Sequence, residues 1–229
     1  MKKVRETSKP SPFNYSENSF LYISGNMPFP DDNNGAYIDA IADEAKRLIA
    51  AANGHAAMLF TSFKVMDKVF ERLSGEIPFP VFKLGKSGGK SIDRFKKSGG
   101  VLLSAGSLWE GIDIPGDALS LLIIVRLPFA VPDPFSEWER TLYGNFDDYK
   151  NSVIAPDMLV KLKQGFGRLI RTETDTGVVA ILDRRASSRG TYRAAVLNAL
   201  PKCRVTSSAG EVRQFMESVK DAQYFKKQQ

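Results

Sequence analysis

Gln164-Gly165-Phe166-Gly167-Arg168-Leu169-Ile170-Arg171 has the pattern Q-x-x-G-R-x-x-R and closes a stretch of helical spacing over 156–169. Residues at i, i+4 and i+7 of a helix share one face, so Gln164, Arg168 and Arg171 are expected to project the same way. Two guanidiniums beside an amide repel one another and bury badly. They suit an anion with planar oxygens, such as a phosphate, which a guanidinium grips through two parallel hydrogen bonds. The plain alternative is a solvated basic helix end favoured by the helix dipole.

A second constellation runs from Gly106 and Ser107 through Trp109 and Glu110 to Gly111 and Asp113. The Ser107 hydroxyl and the amides around Gly106 can donate to phosphate oxygens. Glu110 and Asp113 repel phosphate, but they can accept from a ribose hydroxyl or hold an arginine of the octet. A metal site is the weaker alternative, because no further ligands cluster nearby in the sequence. Trp109 suits either base stacking or a core or hinge position. Thr61-Ser62-Phe63 offers two hydroxyls and a ring for a nucleic-acid backbone, or equally a turn and a helix cap. Asp183-Arg184-Arg185 can pair internally or add positive charge to a nucleic-acid track.

Gly85-Lys86-Ser87-Gly88-Gly89-Lys90-Ser91 is a false lead. A phosphate-wrapping loop of the G-x-x-x-x-G-K-[ST] type needs four residues between its outer glycines, and Gly85 and Gly89 enclose three. It reads as a flexible basic loop, and a small kinase built on it is the least supported class.

The elements that position these residues alternate. Continuous apolar runs at Ala57–Phe60, Val101–Leu103, Leu121–Val125 and Val178–Leu182 read as strands buried on both faces, with Phe20–Ile23 and Val81–Leu84 as further candidates. Helical spacing is predicted over 36–52, 64–73, 91–97, 156–169 and 188–199, and again around Val212, Phe215, Met216 and Val219. This rhythm predicts an α/β three-layer sandwich with a mostly parallel central sheet, whose ligands bind beyond the carboxyl ends of the strands. The expected division is a linker at 1–16, a main domain over 17–206 and a closing helix with tail at 207–229. Residues 128–155, rich in proline and aromatics, are expected to be an insertion that packs as a cover over the sheet edge; the alternative is a stacking surface for single-stranded bases.

Hydrophobic residues make up 43% and charged residues 25% of 229, the balance of a water-soluble domain, and no apolar run reaches membrane-spanning length. One cysteine (Cys203) and one histidine (His55) exclude a disulfide framework, an Fe–S cluster and most zinc sites within this chain. A reducing cytoplasmic setting fits, and a formal charge of +6 permits nucleic-acid binding.

The octet also resembles motif VI of superfamily 2 helicases, and Gly106–Gly116 resembles motif V in the W-E-G-I-D form of the DinG/XPD branch. Ser11–Tyr15, Leu59–Phe63, Arg126–Phe129 and Leu182–Arg185 are similar to other stretches of that branch and occur in its order. The resemblance covers roughly 11–202 and implies the second RecA-like domain of an ATP-dependent DNA helicase. In that family ATP with Mg²⁺ lies between two such domains, and the first brings the Walker motifs and in many members an Fe–S cluster. This chain then supplies only the second wall. The resemblance assigns Arg171 and Arg168 to the γ-phosphate and Gln164 to orienting phosphate or water. It turns Gly111, Asp113, Glu110 and Gly167 toward the nucleotide, and Thr61, Ser62, Phe63, Gly106 and Ser107 toward single-stranded DNA. It further implies a DNA-repair setting and a monomer partnered with the N-terminal helicase domain of the same polypeptide. The isolated chain is expected to be inactive toward ATP. A non-catalytic nucleic-acid-binding module of the same fold is the competing reading.

Overall fold

The computed structural model describes residues 13–84, 89–106, 114 and 116–226. Seven strands form one sheet in the order β3-β4-β2-β5-β6-β1-β7: β1 Ser19–Ile23, β2 Ala56–Phe60, β3 Val81–Lys83, β4 Val101–Ala105, β5 Leu121–Ile124, β6 Gly177–Ile181 and β7 Arg204–Thr206. Every neighbouring pair is parallel. Side chains alternate across a strand, so each apolar run feeds two cores. Phe20, Tyr22, Met58, Phe60, Leu121, Ile123, Val178 and Ala180 face one, and Leu21, Ile23, Leu59, Leu122, Ile124, Val179 and Ile181 face the other.

Among the described residues the helices are α1 Tyr15–Asn18, α2 Gly35–Ala51, α3 Phe63–Leu73, α4 Gly89–Ser98, α5 Pro134–Arg140, α6 Phe146–Tyr149, α7 Ala155–Phe166, α8 Arg193–Ala199 and α9 Ala209–Val219. α2, α3 and α9 cover the first face, through Ile38, Ile41 and Leu48, Val65 and Val69, and Val212, Phe215 and Met216. α4, α7 and α8 cover the second, through Phe95, Met158, Leu162 and Phe166, and Val196. The closing helix docks as expected, with the rings of Phe20 and Phe215 stacked 5.0 Å apart. Each such buried side chain contributes about 1.5–3 kcal/mol.

Four expectations are corrected. The helix predicted over 156–169 ends at Phe166, where Gly165 and Gly167 lower helix propensity. Arg168 and Leu169 then donate to Gly165 and Phe166, three residues back, and this tighter turn drives Leu169 and Ile170 into the second core. The helix predicted from 188 begins at Arg193, after a loop closed by Tyr192 N–H donating to Arg185. β7 was not expected, since a three-residue edge strand with its side chains largely in solvent leaves no apolar run.

The fourth correction concerns 128–155, which does not pack its aromatics as a cover. Asp133-Pro134-Phe135-Ser136 is a helix start, with Asp133 and Ser136 forming a reciprocal capping box. Phe135, Trp138 and Phe146 stay 67%, 56% and 52% exposed, and of the segment's aromatics only Tyr149 is buried. A turn of wider π geometry at Lys150–Ile154 carries the chain into α7, next to Pro156, which has no N–H to donate.

Candidate functional site

The predicted site residues divide between the two edges of the sheet. At the amino edge, the octet is only half helical. Gln164 is exposed on α7, Gly167 caps its end in the exposed turn, and Arg168 and Arg171 follow it, each half-buried. The shared helix face expected for Gln164, Arg168 and Arg171 is therefore absent. A turn sets the position of the two arginines instead. The Asp175 carboxylate accepts from the amides of Arg171 and Thr172, both at 2.8 Å, and Arg171 Nε donates to the Arg168 carbonyl at 3.0 Å.

Two neighbours fasten that turn. Asn18, just before β1, donates to the Glu173 carbonyl at 2.6 Å. Lys220, whose side chain is 2% exposed, donates to the Thr176 carbonyl at 2.8 Å and to Asp117 at 2.5 Å. Asp117 belongs to the turn Gly116–Ala118 that leads into β5 and follows the 106–113 stretch in the sequence. One ammonium thus ties the arginine turn to the turn that opens β5. Beside it the His55 ring stacks on Tyr224 at 4.5 Å, and burial pushes the His55 pKa down, assisted by Lys220 and opposed by Asp117. Burial likewise raises the Tyr224 hydroxyl well above the ordinary phenol range. Nothing in the sequence marks Lys220, Asp117 or Asp175, because each acts through partners dozens of residues away or through a turn without a motif.

At the carboxyl edge, Thr61, Ser62 and Phe63 follow β2. Ser62 caps α3 by accepting from Val65 N–H at 3.4 Å, so the capping reading of this hydroxyl is realised. Thr61 and Ser62 also line a cleft of about 470 Å³ with Asp32, Arg126 and Phe129, and Phe63 stands 63% exposed. Arg126 pairs with Asp32 at 2.7 Å and lies 5.8 Å from the Tyr37 ring centre. Burial works to lower the Arg126 pKa, but Tyr37 and Asp32 outweigh it, and the net shift is upward. The sequence holds Arg126 within R-L-P-F, yet nothing in that run assigns it a partner.

Asp183, fully buried after β6, accepts from Leu127 N–H at 2.9 Å and from Arg185 at 2.6 Å, so this Asp-Arg pair is internal. The Arg185 guanidinium is also held between Phe129 and Phe29, 4.6 and 5.9 Å from their ring centres. Gly106 leaves β4 at φ +80°, a conformation that favours glycine. Ser107, Trp109, Glu110, Gly111 and Asp113 lie outside the described residues, as do 85–88 of the G-K-S loop. β3 and α4 flank that loop as anticipated.

Both edges thus pair basic side chains with fixed backbone in ways that suit phosphate ligands. A family model for the helicase C-terminal domain matches residues 45–203. The chain is 35% identical over 217 residues to the ATP-dependent DNA helicase YoaA of Haemophilus influenzae, covering 91% of this chain and 33% of that protein. It is 31% identical over 207 residues to the ATP-dependent helicase DinG of Mycobacterium tuberculosis, covering 89% and 31%. The chain therefore spans about a third of the length of these curated relatives. Among solved structures, an XPD helicase superposes with a TM-score of 0.63 at 23% identity, over 82% of this chain and 36% of the other, which establishes the RecA-like fold. By sequence and by fold, the chain belongs to the helicase C-terminal domain family, with DinG- and YoaA-type helicases among its relatives.

Proposed function

We propose that this chain is the second wall of an ATP-driven DNA motor, with nucleotide at the amino edge of its sheet and single-stranded DNA at the carboxyl edge. The observation that carries this reading is the Arg168–Thr176 turn. Asp175 fixes the backbone of Arg171 from within the turn, and Asn18 and Lys220 fix the turn from outside. Phosphoryl transfer asks a protein for positioning and charge neutralisation rather than covalent chemistry, and a guanidinium on an immobilised backbone supplies both. Arg171 and Arg168 neutralise charge on the γ-phosphate, Gln164 orients phosphate or water, and Gly111, Asp113, Glu110 and Gly167 complete the nucleotide face. Thr61, Phe63, Gly106 and Ser107 meet the DNA strand, and Ser62 sets the start of α3 beside them. The remaining wall, with the Walker motifs and the Mg²⁺ carboxylates, is supplied by a separate N-terminal domain, and this chain alone turns over no ATP.

The test is steady-state, DNA-stimulated ATPase activity of the complete two-domain protein. Arg171→Ala is expected to leave nucleotide binding largely intact and to lower hydrolysis by a factor on the order of 10³–10⁵. Arg171→Lys does not rescue it, because one ammonium cannot reproduce a planar fork contacting two oxygens. Full activity in Arg171→Ala would falsify the assignment. A nucleic-acid-binding module without turnover, the competing reading, predicts no ATPase activity in the wild type.

A further inference from the structure

The connections leaving adjacent strands diverge at one place in this sheet. From the carboxyl end of β1 the chain turns toward α2 on the first face, and from the carboxyl end of its neighbour β6 it turns toward α8 on the second. Adjacent loops that part to opposite faces leave a crevice between them, and open α/β sheets bind ligands in such crevices. Here the crevice is built, with a volume of about 700 Å³, between 25–29 after β1 and 184–191 after β6.

The chemistry of its lining selects the ligand. Arg184, Arg185 and Arg189 line it together with the hydroxyls of Ser187, Ser188 and Thr191, and among the described residues no carboxylate takes part in the lining. Arg185 is neutralised by the buried Asp183 and serves as a fixed partition. Arg184 and Arg189 differ from it: both are exposed, and neither makes an ion pair among the described residues. The loop that carries them is tight. A Cβ on Gly190 would stand 2.2 Å from the Arg185 carbonyl oxygen, so glycine is what lets 190 close back onto 184–185 and hold both arginines at one mouth. Two unpaired guanidiniums over hydroxyl groups, in a crevice free of acid, match a phosphate group.

We propose that this crevice is a phosphate-binding site read by Arg184 and Arg189, separate from the arginine turn at the opposite edge; its strand source rests on the DNA edge proposed above, and its small-molecule source does not. Its phosphate comes either from the phosphodiester backbone of a nucleic-acid strand or from a free phosphorylated small molecule. The test uses this chain with two probes, a 20-residue oligothymidylate without terminal phosphate, followed by fluorescence anisotropy, and inorganic pyrophosphate, followed by calorimetry.

For a strand source, Arg184→Gln/Arg189→Gln weakens oligothymidylate binding by about tenfold or more at 0.1 M salt. It also reduces the log–log salt slope by about 1.4, the share of two single-strand phosphate contacts. Arg184→Lys/Arg189→Lys keeps the slope, and Lys96→Gln/Lys97→Gln, which removes the same charge from α4, leaves binding near wild type. For a small-molecule source, the glutamine pair abolishes pyrophosphate binding and leaves the oligonucleotide unaffected. If the glutamine pair changes neither probe, or if the wild type binds neither, the site does not exist. Because both arginines are exposed, the variants melt with the wild type, and lost binding reads as lost contact.

Discussion

The two edges of this sheet are built from similar residues and end in opposite states. At the amino edge, cations are spent on internal structure: Lys220 is buried against Asp117 and Thr176, and Asp175 and Asn18 hold the turn that carries Arg168 and Arg171. At the carboxyl edge, one arginine is consumed by Asp183 and another by Asp32, and these two pairs frame crevices whose other groups remain open. The contrast separates two kinds of phosphate contact. A residue that must meet developing charge in one geometry needs an immobile backbone, whereas a strand that slides past is better met by open, exchangeable contacts.

The sharpest separation of the edges comes from Arg171→Ala in the complete protein. ATPase activity should drop by the 10³–10⁵-fold given above, while affinity for single-stranded DNA stays within about twofold, as one contact's share of the salt dependence would allow. Equal loss of both would break the division.

Asp183→Ala should have the largest effect on stability. It strips Leu127 N–H and Arg185 of a fully buried acceptor, and removing one partner of a buried pair costs about 3–5 kcal/mol. For a domain of this size that is a fall of roughly 6–20 °C in melting temperature. Lys220→Ala follows at about 1.5–3 kcal/mol, because it removes the charge-assisted hydrogen bonds to Asp117 and the Thr176 carbonyl. It should also lower ATPase activity in the complete protein without changing DNA affinity, since the turn it fastens lies at the other edge.

His55 gives the amino edge a pH signature. Its folded pKa is depressed by burial, so as pH falls below the ordinary value of about 6.5 the unfolded chain takes up the proton first and stability declines. The decline ends once the folded form is protonated as well. Melting curves at pH 7.5 and 5.0 should show this loss reduced in His55→Asn, a residue that tolerates the φ of +40° found there. The smallest effect belongs to Trp138→Ser. With 56% of this residue in solvent, stability should change by no more than about 0.5 kcal/mol in thermal melts, and a larger loss would restore the packed-cover reading of 128–155.

Where burial is two-sided, the sequence was legible. Ala57–Phe60, Leu121–Val125 and Val178–Leu182 sit in the middle of a parallel sheet and must be apolar at every position, so strands, helices and layer order follow from the pattern. The octet and the 61–63 loop could be picked out because their residue types are unusual in a row. What escaped was set by contacts between distant segments. The Q-x-x-G-R-x-x-R spacing fits a continuous helix, and the tight turn that ends it at Phe166 shows itself only through the burial of Leu169 and Ile170 in the core. Lys220 is an ordinary lysine until the fold brings Asp117 and Thr176 to it. The aromatics of 128–155 mimic a core because hydrophobicity is visible in a sequence and exposure is not.

The place of β1 carries a consequence for how the chain comes into being. Within this sheet it is the first strand to be synthesised, yet it lies between β6 and β7, the last two. Ser19 pairs with Gly177, and at about 5–20 residues per second of synthesis the gap of roughly 160 residues keeps the first strand waiting on the order of 10–30 s. Throughout that interval Phe20, Leu21, Tyr22 and Ile23, all destined for burial, have no sheet to join. An unpaired apolar strand is an aggregation hazard, so the fold is open to faulty self-association, or to rescue by a chaperone, until β6 has left the ribosome.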